Sequence, residues 1–154
     1  MNENERNLAL NDPIAAYKMQ KSRKLAISWG EKMMGEDFAG DDTKGNAFRH
    51  AFWSATAVQM MGEEKTKVFT DAHEIDPETP SAKMDLFNNE RGIEIGNLYM
   101  SQMEKGMAHR NLGMADYNTF DYYGVTISVT GNHYENLALM VKTAVDNNVL
   151  TWLK

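Results

Sequence analysis

Ionisable side chains recur among core-type residues in the stretch NAFRHAFWSATAVQMMGEEKTKVFTDAHE, which spans residues 46–74. This stretch contains His50, His73 and Glu74. A further carboxylate, Asp85, follows a short distance along the chain. Imidazole and carboxylate groups from separate helices are the usual ligands of helical zinc and di-metal sites. These four residues are therefore candidate ligands for one divalent metal ion, and zinc is the first candidate.

The chemistry expected of such a site is hydrolysis. A ligand set of this type can leave one coordination position for water, whose pKa the metal lowers until a nucleophile forms near neutral pH. A spare carboxylate, Asp71 or Glu74, would act as the general base. Arg49 would pair with a carboxylate or bind an anionic group of the substrate.

A buried polar network without any ligand explains the same residues. Arg49 lies on an apolar helix and needs a carboxylate partner, which Asp71, Glu74 or Asp85 could supply. Hydrogen-bonded histidine and asparagine side chains would satisfy the remaining groups. The His-Glu pair at residues 73–74 lacks the second histidine of the metalloprotease helix motif. From the residues alone the network is slightly favoured, and the metal site is the hypothesis to test first.

Helical spacing places these side chains on three faces that can converge if their helices pack together. The faces hold Asn46, Arg49, His50 and Trp53 on one helix, Thr70, Asp71, His73 and Glu74 on the next, and Asp85, Asn88 and Asn89 on a third. Asn46, Trp53, Asn88 and Asn89 are expected to support the site or to contact a substrate.

The helices that must position these faces have recognisable ends. Asp12 and Pro13 are typical of a helix start, and Gly35 of its stop after Met34. Residues 35–45 read as a loop because they are rich in Gly and Asp. The further helices are predicted at about residues 46–61, 63–75, 82–105 and 132–147.

The fold class predicted from these elements is mainly α, as a single compact domain of about five helices over residues 1–154. Residues 1–11 are expected to be flexible, and residues 106–118 irregular. Alternating apolar residues within 122–131 predict one short β-strand or hairpin, although no partner strand is evident. Gly92 and Gly96 share one helix face, where a neighbouring helix could approach closely.

Composition excludes several classes of protein. The chain has 154 residues, 42% of them hydrophobic and 25% charged, as in ordinary globular domains. Its formal net charge of −6 argues against binding to nucleic acid backbones. The absence of cysteine excludes disulfides and cysteine-ligated zinc.

The start of the chain and its apolar runs bear on where in the cell the protein is expected. The polar start MNENERNLALNDP lacks the apolar region of a Sec signal peptide. No apolar run approaches transmembrane length. We therefore expect a cytoplasmic protein, or one that is exported without a Sec signal.

Three ordered segments, AFRHAFWSA, FTDAHE and MDLFNNERGIEIG, resemble those of a bacterial helical domain family of unknown function. In that family an Arg-His-x-x-Trp helix precedes an Asp-Ala-His-Glu segment and a Met-Asp-Leu-x-Asn-Asn-x-x-Gly segment. The resemblance covers residues 46–96, about a third of the chain. It implies that the signature positions are Arg49, His50, Trp53, Asp71, His73, Glu74, Asp85, Asn88, Asn89, Gly92 and Gly96.

The resemblance implies a biological setting and no particular reaction. Members of that family occur alone and as C-terminal modules of wall-associated or Rhs-type secreted proteins, which implies an effector-like role. The family often has histidine where this chain has Phe87. If that histidine is a ligand elsewhere, the site in this chain is altered, which favours the structural network.

The leading hypothesis is a small, effector-like helical hydrolase with a metal-dependent site between three helices. A phosphodiester or lipid head group is the expected substrate, by analogy with other all-helical zinc hydrolases. One alternative is a non-catalytic binding or interaction module with the same residues as its structural centre. Another is an immunity or accessory protein, whose acidic surface would meet a basic protein partner.

Overall fold

The computed structural model describes residues 1–40, 43–114 and 118–152. Helices dominate this part of the chain, and the mainly α prediction is confirmed. The elements are α1 (Glu3–Asn11), α2 (Pro13–Met34), a 3-10 turn (Gly35–Phe38), α3 (Lys44–Met61), α4 (Glu63–His73), α5 (Pro80–Asn111), β1 (Thr119–Tyr122), β2 (Val125–Ser128) and α6 (His133–Asp146).

Helix α3 is the centre of the fold. From Gly45 to Val58 every residue is buried except the partly exposed Arg49. A helix that is apolar on all sides must be surrounded, and α3 packs against α2, α4, α5 and α6. Buried polar side chains on α3 can therefore meet neighbouring helices, and His50 and Asn46 meet α5 in this way.

Helix α5 lies directly on α3 because two of its residues have no side chain. A Cβ atom at Gly92 would clash with the carbonyl of Ala51, and one at Gly96 with the Val58 side chain and the carbonyl of Ala55. The close approach expected at this glycine face is confirmed. This close contact fixes the position along α3 that the preceding turns of α5 meet. Those turns carry Asp85 and Asn89.

The ends of the helices follow local capping chemistry. The Asp12 side chain accepts a hydrogen bond from the backbone amide of Ala15, as its predicted cap role requires. Helix α3 begins at Lys44, two residues earlier than predicted, and Thr43 is its N-cap. The Asn46 side chain is consequently available to face α5.

The segment expected to be flexible contains a helix in the structure. This helix is α1, whose Asn2 cap and Glu5 side chain make reciprocal hydrogen bonds with each other's backbone amides. The Asn2 side chain also donates to the carbonyls of Ala72 and His73 at the end of α4. These hydrogen bonds dock the start of α1 on the end of α4.

The last third of the chain also differs from prediction. Helix α5 continues to Asn111, past the predicted end at 105, and has 32 residues. The expected irregular region 106–118 is thus partly helical, and its residues 115–117 lie outside the described ranges. Among the described helices, none is both long and apolar enough to cross a bilayer.

The predicted strand has a partner. Strand β2 pairs with β1 in an antiparallel hairpin, with Phe120 opposite Ile127. Tyr123 and Gly124 form the turn, and both have positive φ angles, of 48° and 81°. Such two-residue turns match the natural twist of paired strands. The hairpin lies across α6, where Ile127 is fully buried.

Candidate functional site

Three of the predicted ligands converge. His50 on α3, Glu74 at the end of α4 and Asp85 on α5 each offer one ligand atom, and these atoms lie within 4.8 Å of one another. We call these three residues the acid–histidine trio. Ligand atoms around tetrahedral zinc are roughly 3.3 Å apart, given bonds of about 2.0–2.2 Å. Small side-chain rotations would therefore bring the trio to coordination distance.

The position of Glu74 follows from the end of its helix. Helix α4 ends at His73, two residues earlier than predicted, Glu74 is its C-cap, and the chain turns away before Pro77. Burial raises the pKa of Glu74 to about 7, and the negative charge of Asp85 contributes to the same rise. The Oε1 atom of Glu74 is buried and has no hydrogen-bond partner among the described residues.

His50 presents an unprotonated nitrogen to the trio. Its Nδ1 lies 2.9 Å from Oδ1 of Asn89, an acceptor, so Nδ1 carries the proton and Nε2 the lone pair. Burial, reinforced by nearby positive charges, lowers the pKa of His50 to about 4. The ring is therefore neutral at pH 7, and the 3.4 Å approach of Nε2 to Asp85 is not an ion pair. A metal-binding histidine commonly has its second nitrogen held in this way.

Asp85 is joined to α3 by an asparagine and an arginine. Asn46 donates to Oδ1 of Asp85 at 2.9 Å, and Arg49 donates to the carbonyl oxygen of the Asn46 side chain at 2.7 Å. The Arg49 guanidinium also lies over the Phe38 ring, 5.3 Å from its centroid. Asn46 thus links Arg49 to Asp85, and this part of the site is the polar network that the sequence also suggested.

His73 belongs to a second cluster next to the trio. Its Nδ1 lies 2.7 Å from Oε1 of Glu5, and the Arg23 guanidinium is 3.2 Å from the same oxygen. Arg23 also approaches Nδ1 of His73 to 3.2 Å, but arginine only donates, so Glu5 accepts from both. The His73 ring is centred 6.1 Å from that of His50. Its Nδ1 therefore faces Glu5 and not the trio.

Glu5 is held in its ionised form by its partners. Burial alone would raise its pKa, but hydrogen bonds from the Asn2 amide, His73 and Arg23 outweigh this and lower the pKa of Glu5. Sequence reasoning missed Glu5 because it lies in the segment expected to be flexible. The signal that could have found it is the capping pattern of Asn2 and Glu5, three residues apart.

Arg23 was also missed, because the basic run around it reads as a solvated helix face. Its guanidinium lies over the Trp53 ring, 4.8 Å from the centroid. Trp53 is buried and donates from Nε1 to the carbonyl of Met19 at 3.1 Å. Trp53 therefore forms an aromatic wall of the site, against which Arg23 is held.

A cavity of about 430 Å³ joins the two clusters. Its walls include His50, Asp85 and His73, together with the guanidinium-bearing residues Arg23 and Arg49. The two guanidinium groups are partly balanced, since Asp85 lines the same cavity and Glu5 pairs with Arg23. A metal ion bound at the trio would add positive charge, and the cavity would then favour an anionic ligand. We call this space the polar cavity.

Two predicted site residues lie elsewhere. Asp71 is on the exposed face of α4, where it lies 3.6 Å from Lys67. Asn88 is fully buried, but its side chain exchanges hydrogen bonds of 2.7 and 2.9 Å with the backbone of Thr151. Asn88 therefore holds the C-terminal segment against α5 and does not face the polar cavity.

The family model described as Domain of unknown function (DUF6973) matches residues 6–116. No curated protein and no solved structure matches the chain. The matched range runs from α1 through α5 and contains the whole acid–histidine trio. Because the match covers more than half of its length, the chain belongs to this family of domains of unknown function.

Proposed function

We propose that this domain is a hydrolase that binds one divalent metal ion, with zinc as the first candidate, between α3, α4 and α5. His50, Glu74 and Asp85 would be the ligands. The observation that carries the proposal is the convergence of their ligand atoms within 4.8 Å. The buried, unpartnered Oε1 of Glu74 and the Asn89 contact that fixes the His50 ring support it further.

A bound metal would supply a water of lowered pKa and would polarise a substrate oxygen. His73 would accept a proton from that water. Its Nδ1–H donates to Glu5, which leaves Nε2 able to take a proton, and the ring borders the polar cavity. A histidine oriented by a carboxylate is an effective general base. Asp71 is unsuitable for this role because it lies on the exposed face beside Lys67.

A phosphate ester is the substrate class that the polar cavity fits best. Arg49 and Arg23 would bind its anionic oxygens. The water oxygen would bond to phosphorus as the ester P–O bond breaks. The proton from water would pass to Nε2 of His73 and then to the leaving alkoxide, so that an alcohol and a phosphate are the products.

Metal analysis tests the metal-binding part of this proposal. We expect the purified protein, incubated with zinc and desalted, to retain about one equivalent, which chelator removes. His50→Ala should lose the metal, since one of three ligands is deleted. His109→Ala is the matched control, because His109 lies near the end of α5, outside the polar cavity, and it should retain zinc.

The competing explanation is a non-catalytic module in which the same groups form only a structural network. The hydrogen bonds of Asn46 with Asp85 and of His50 with Asn89 favour it. This explanation would replace ours if folded protein bound no metal and showed no thermal shift with zinc, manganese or nickel.

An effector-like role is proposed from the resemblance to modules of secreted proteins. If the domain is such an effector, producing it inside a bacterium should slow growth. His50→Ala should relieve that effect at equal protein levels, whereas His109→Ala should not. Equal growth with the wild-type domain and with His50→Ala would contradict the role.

A further inference from the structure

A second cavity of about 660 Å³ lies between α1 and α2. Its walls are mainly apolar, with Ala9 on one side, Pro13, Ala16 and Tyr17 on the other, and Phe69 at its base. We call this space the α1–α2 groove. Tyr17 is 69% exposed, so apolar surface in the groove remains open to water. Open apolar surface of this kind commonly marks a binding site.

The groove is continuous with the polar cavity. Arg23, Ile27 and Trp53 line both spaces. The Arg23 guanidinium, stacked on Trp53, therefore lies at the boundary between the apolar groove and the polar cavity. Lys24 adds a positive charge on the same stretch of α2. A ligand that spanned both spaces would need an anionic end and an apolar end.

The length of the groove fits a hydrocarbon chain. Its α2 wall runs from Pro13 to Ile27, which corresponds to about 21 Å at 1.5 Å per helical residue. One leaflet of a bilayer has a hydrocarbon depth of about 15 Å, which is the reach of a lipid chain. The groove can therefore hold one such chain along α2.

We propose that the substrate is a phosphate-headed amphiphile, whose head occupies the polar cavity and whose single alkyl or acyl chain lies in the α1–α2 groove. This inference rests on the proposed function for the site of cleavage. Charge complementarity carries the choice of head, because Arg23 and Arg49 face the polar cavity. The continuity of the two spaces through Ile27 and Trp53 carries the choice of tail.

Binding of decyl phosphate to the full chain tests this inference. Isothermal titration would be done below the micelle concentration, with hexyl phosphate, inorganic phosphate and decyl maltoside as comparison probes. Full burial of a methylene strengthens binding about fourfold. We therefore expect decyl phosphate to bind at least about tenfold more tightly than hexyl phosphate. It should also bind more tightly than inorganic phosphate, which has only the head, and decyl maltoside, which has the chain without the phosphate.

A pair of variants locates the chain. Tyr17→Glu places a charge in the groove at an exposed position and should weaken decyl phosphate about tenfold while leaving inorganic phosphate unchanged. Met107→Glu is the matched control, since Met107 is 52% exposed on α5 and lies outside the groove. Circular dichroism would verify that both variants fold. Equal weakening by both variants would overturn the inference, because the chain would then bind non-specifically.

The titrations are repeated on zinc-loaded and chelator-treated protein to separate the two proposals. Zinc binding together with equal affinities for decyl phosphate and inorganic phosphate would overturn the amphiphile and leave the metal site standing. Tight, Tyr17-dependent binding of decyl phosphate to a protein that takes up no zinc would support the groove and contradict the metal site.

Discussion

At the scale of single residues, the site depends on the orientation of one imidazole. The Asn89 side-chain oxygen accepts a hydrogen bond from Nδ1–H of His50 and so directs the Nε2 lone pair toward Asp85. The adjacent Asn88 has the same side chain and is equally buried, but it contacts the backbone of Thr151. Asn89 therefore supports the site, whereas Asn88 supports the fold.

This separation predicts different effects of the two alanine substitutions. Asn89→Ala should lower zinc affinity by about 10- to 100-fold, the usual effect of removing a group that orients a metal-binding histidine. Asn88→Ala should leave zinc affinity nearly unchanged. Both should destabilise the fold by about 1–3 kcal/mol, because Asn89→Ala leaves the buried His50 without its hydrogen-bond partner and Asn88→Ala removes two hydrogen bonds to the backbone of Thr151. Zinc titration and denaturant unfolding measure the two effects, and equal zinc affinities in both variants would contradict this assignment.

At the scale of elements, α1 is a clamp on the end of α4. Asn2 binds two carbonyls of α4, and Glu5 accepts hydrogen bonds from His73 on α4 and Arg23 on α2. Glu5 therefore connects three helices at one carboxylate. The charge on Glu5 should matter to stability in a way that depends on pH.

A carboxyl group whose pKa is lower in the folded than in the unfolded protein stabilises the fold above its unfolded pKa. That contribution is lost as pH falls through the folded value. Glu5 has a lowered pKa, against an ordinary value of 4.5. Glu5→Gln should therefore cost about 1–3 kcal/mol near pH 7, and its difference from wild type should shrink below about pH 4.5.

Denaturant unfolding at a series of pH values measures this difference. Glu3→Gln is the control, since Glu3 lies in the same first turn of α1 but is exposed. It should change stability by less than about 0.5 kcal/mol. A Glu5→Gln difference that persisted unchanged to pH 3 would show that the charge of Glu5 is not what stabilises the clamp.

The contact between α3 and α5 sets the distance between His50 and Asp85. Gly92→Ala should push the helices apart, because the new methyl group would meet the Ala51 carbonyl. We expect a loss of about 1–3 kcal/mol in unfolding free energy, together with weaker zinc binding. Gly131→Ala is the control, because its Cβ would make only ordinary contacts, at 3.7 Å or more.

Thermal unfolding and zinc titration on the two glycine variants check this prediction. Wild-type zinc affinity in a folded Gly92→Ala protein would show that the α3–α5 spacing does not control the site. A comparable loss of stability in Gly131→Ala would show that the effect is not specific to the helix contact.

At the scale of the whole molecule, the sequence predicts what local spacing controls. Helical periodicity placed His50 and Asp85 on faces that could meet, and the structure brings them together. Glu74 joins them from the C-cap of α4, where the chain has already left the helix. Capping residues marked the start of α2, and glycines marked the close face of α5. These features depend on neighbours a few residues apart, which a single sequence shows directly.

Features that depend on distant contacts were not predictable in this way. Glu5 and His73 are 68 positions apart, and no local pattern links them. Arg23 belongs to the site only because α1 and α3 enclose it, through Glu5 and Trp53. The hairpin was predicted only as an alternative to a single strand, because β1 shows no clear alternation of its own from which to locate the partner strand.

The central claim is that His50, Glu74 and Asp85 bind one divalent metal. The most direct measurement is anomalous X-ray scattering at the zinc edge from crystals of the zinc-loaded protein. Our account predicts one strong peak about 2.0–2.2 Å from Nε2 of His50 and from a carboxylate oxygen of both Glu74 and Asp85. No peak at the trio in such crystals, or a peak only at His109 or His133, would contradict it.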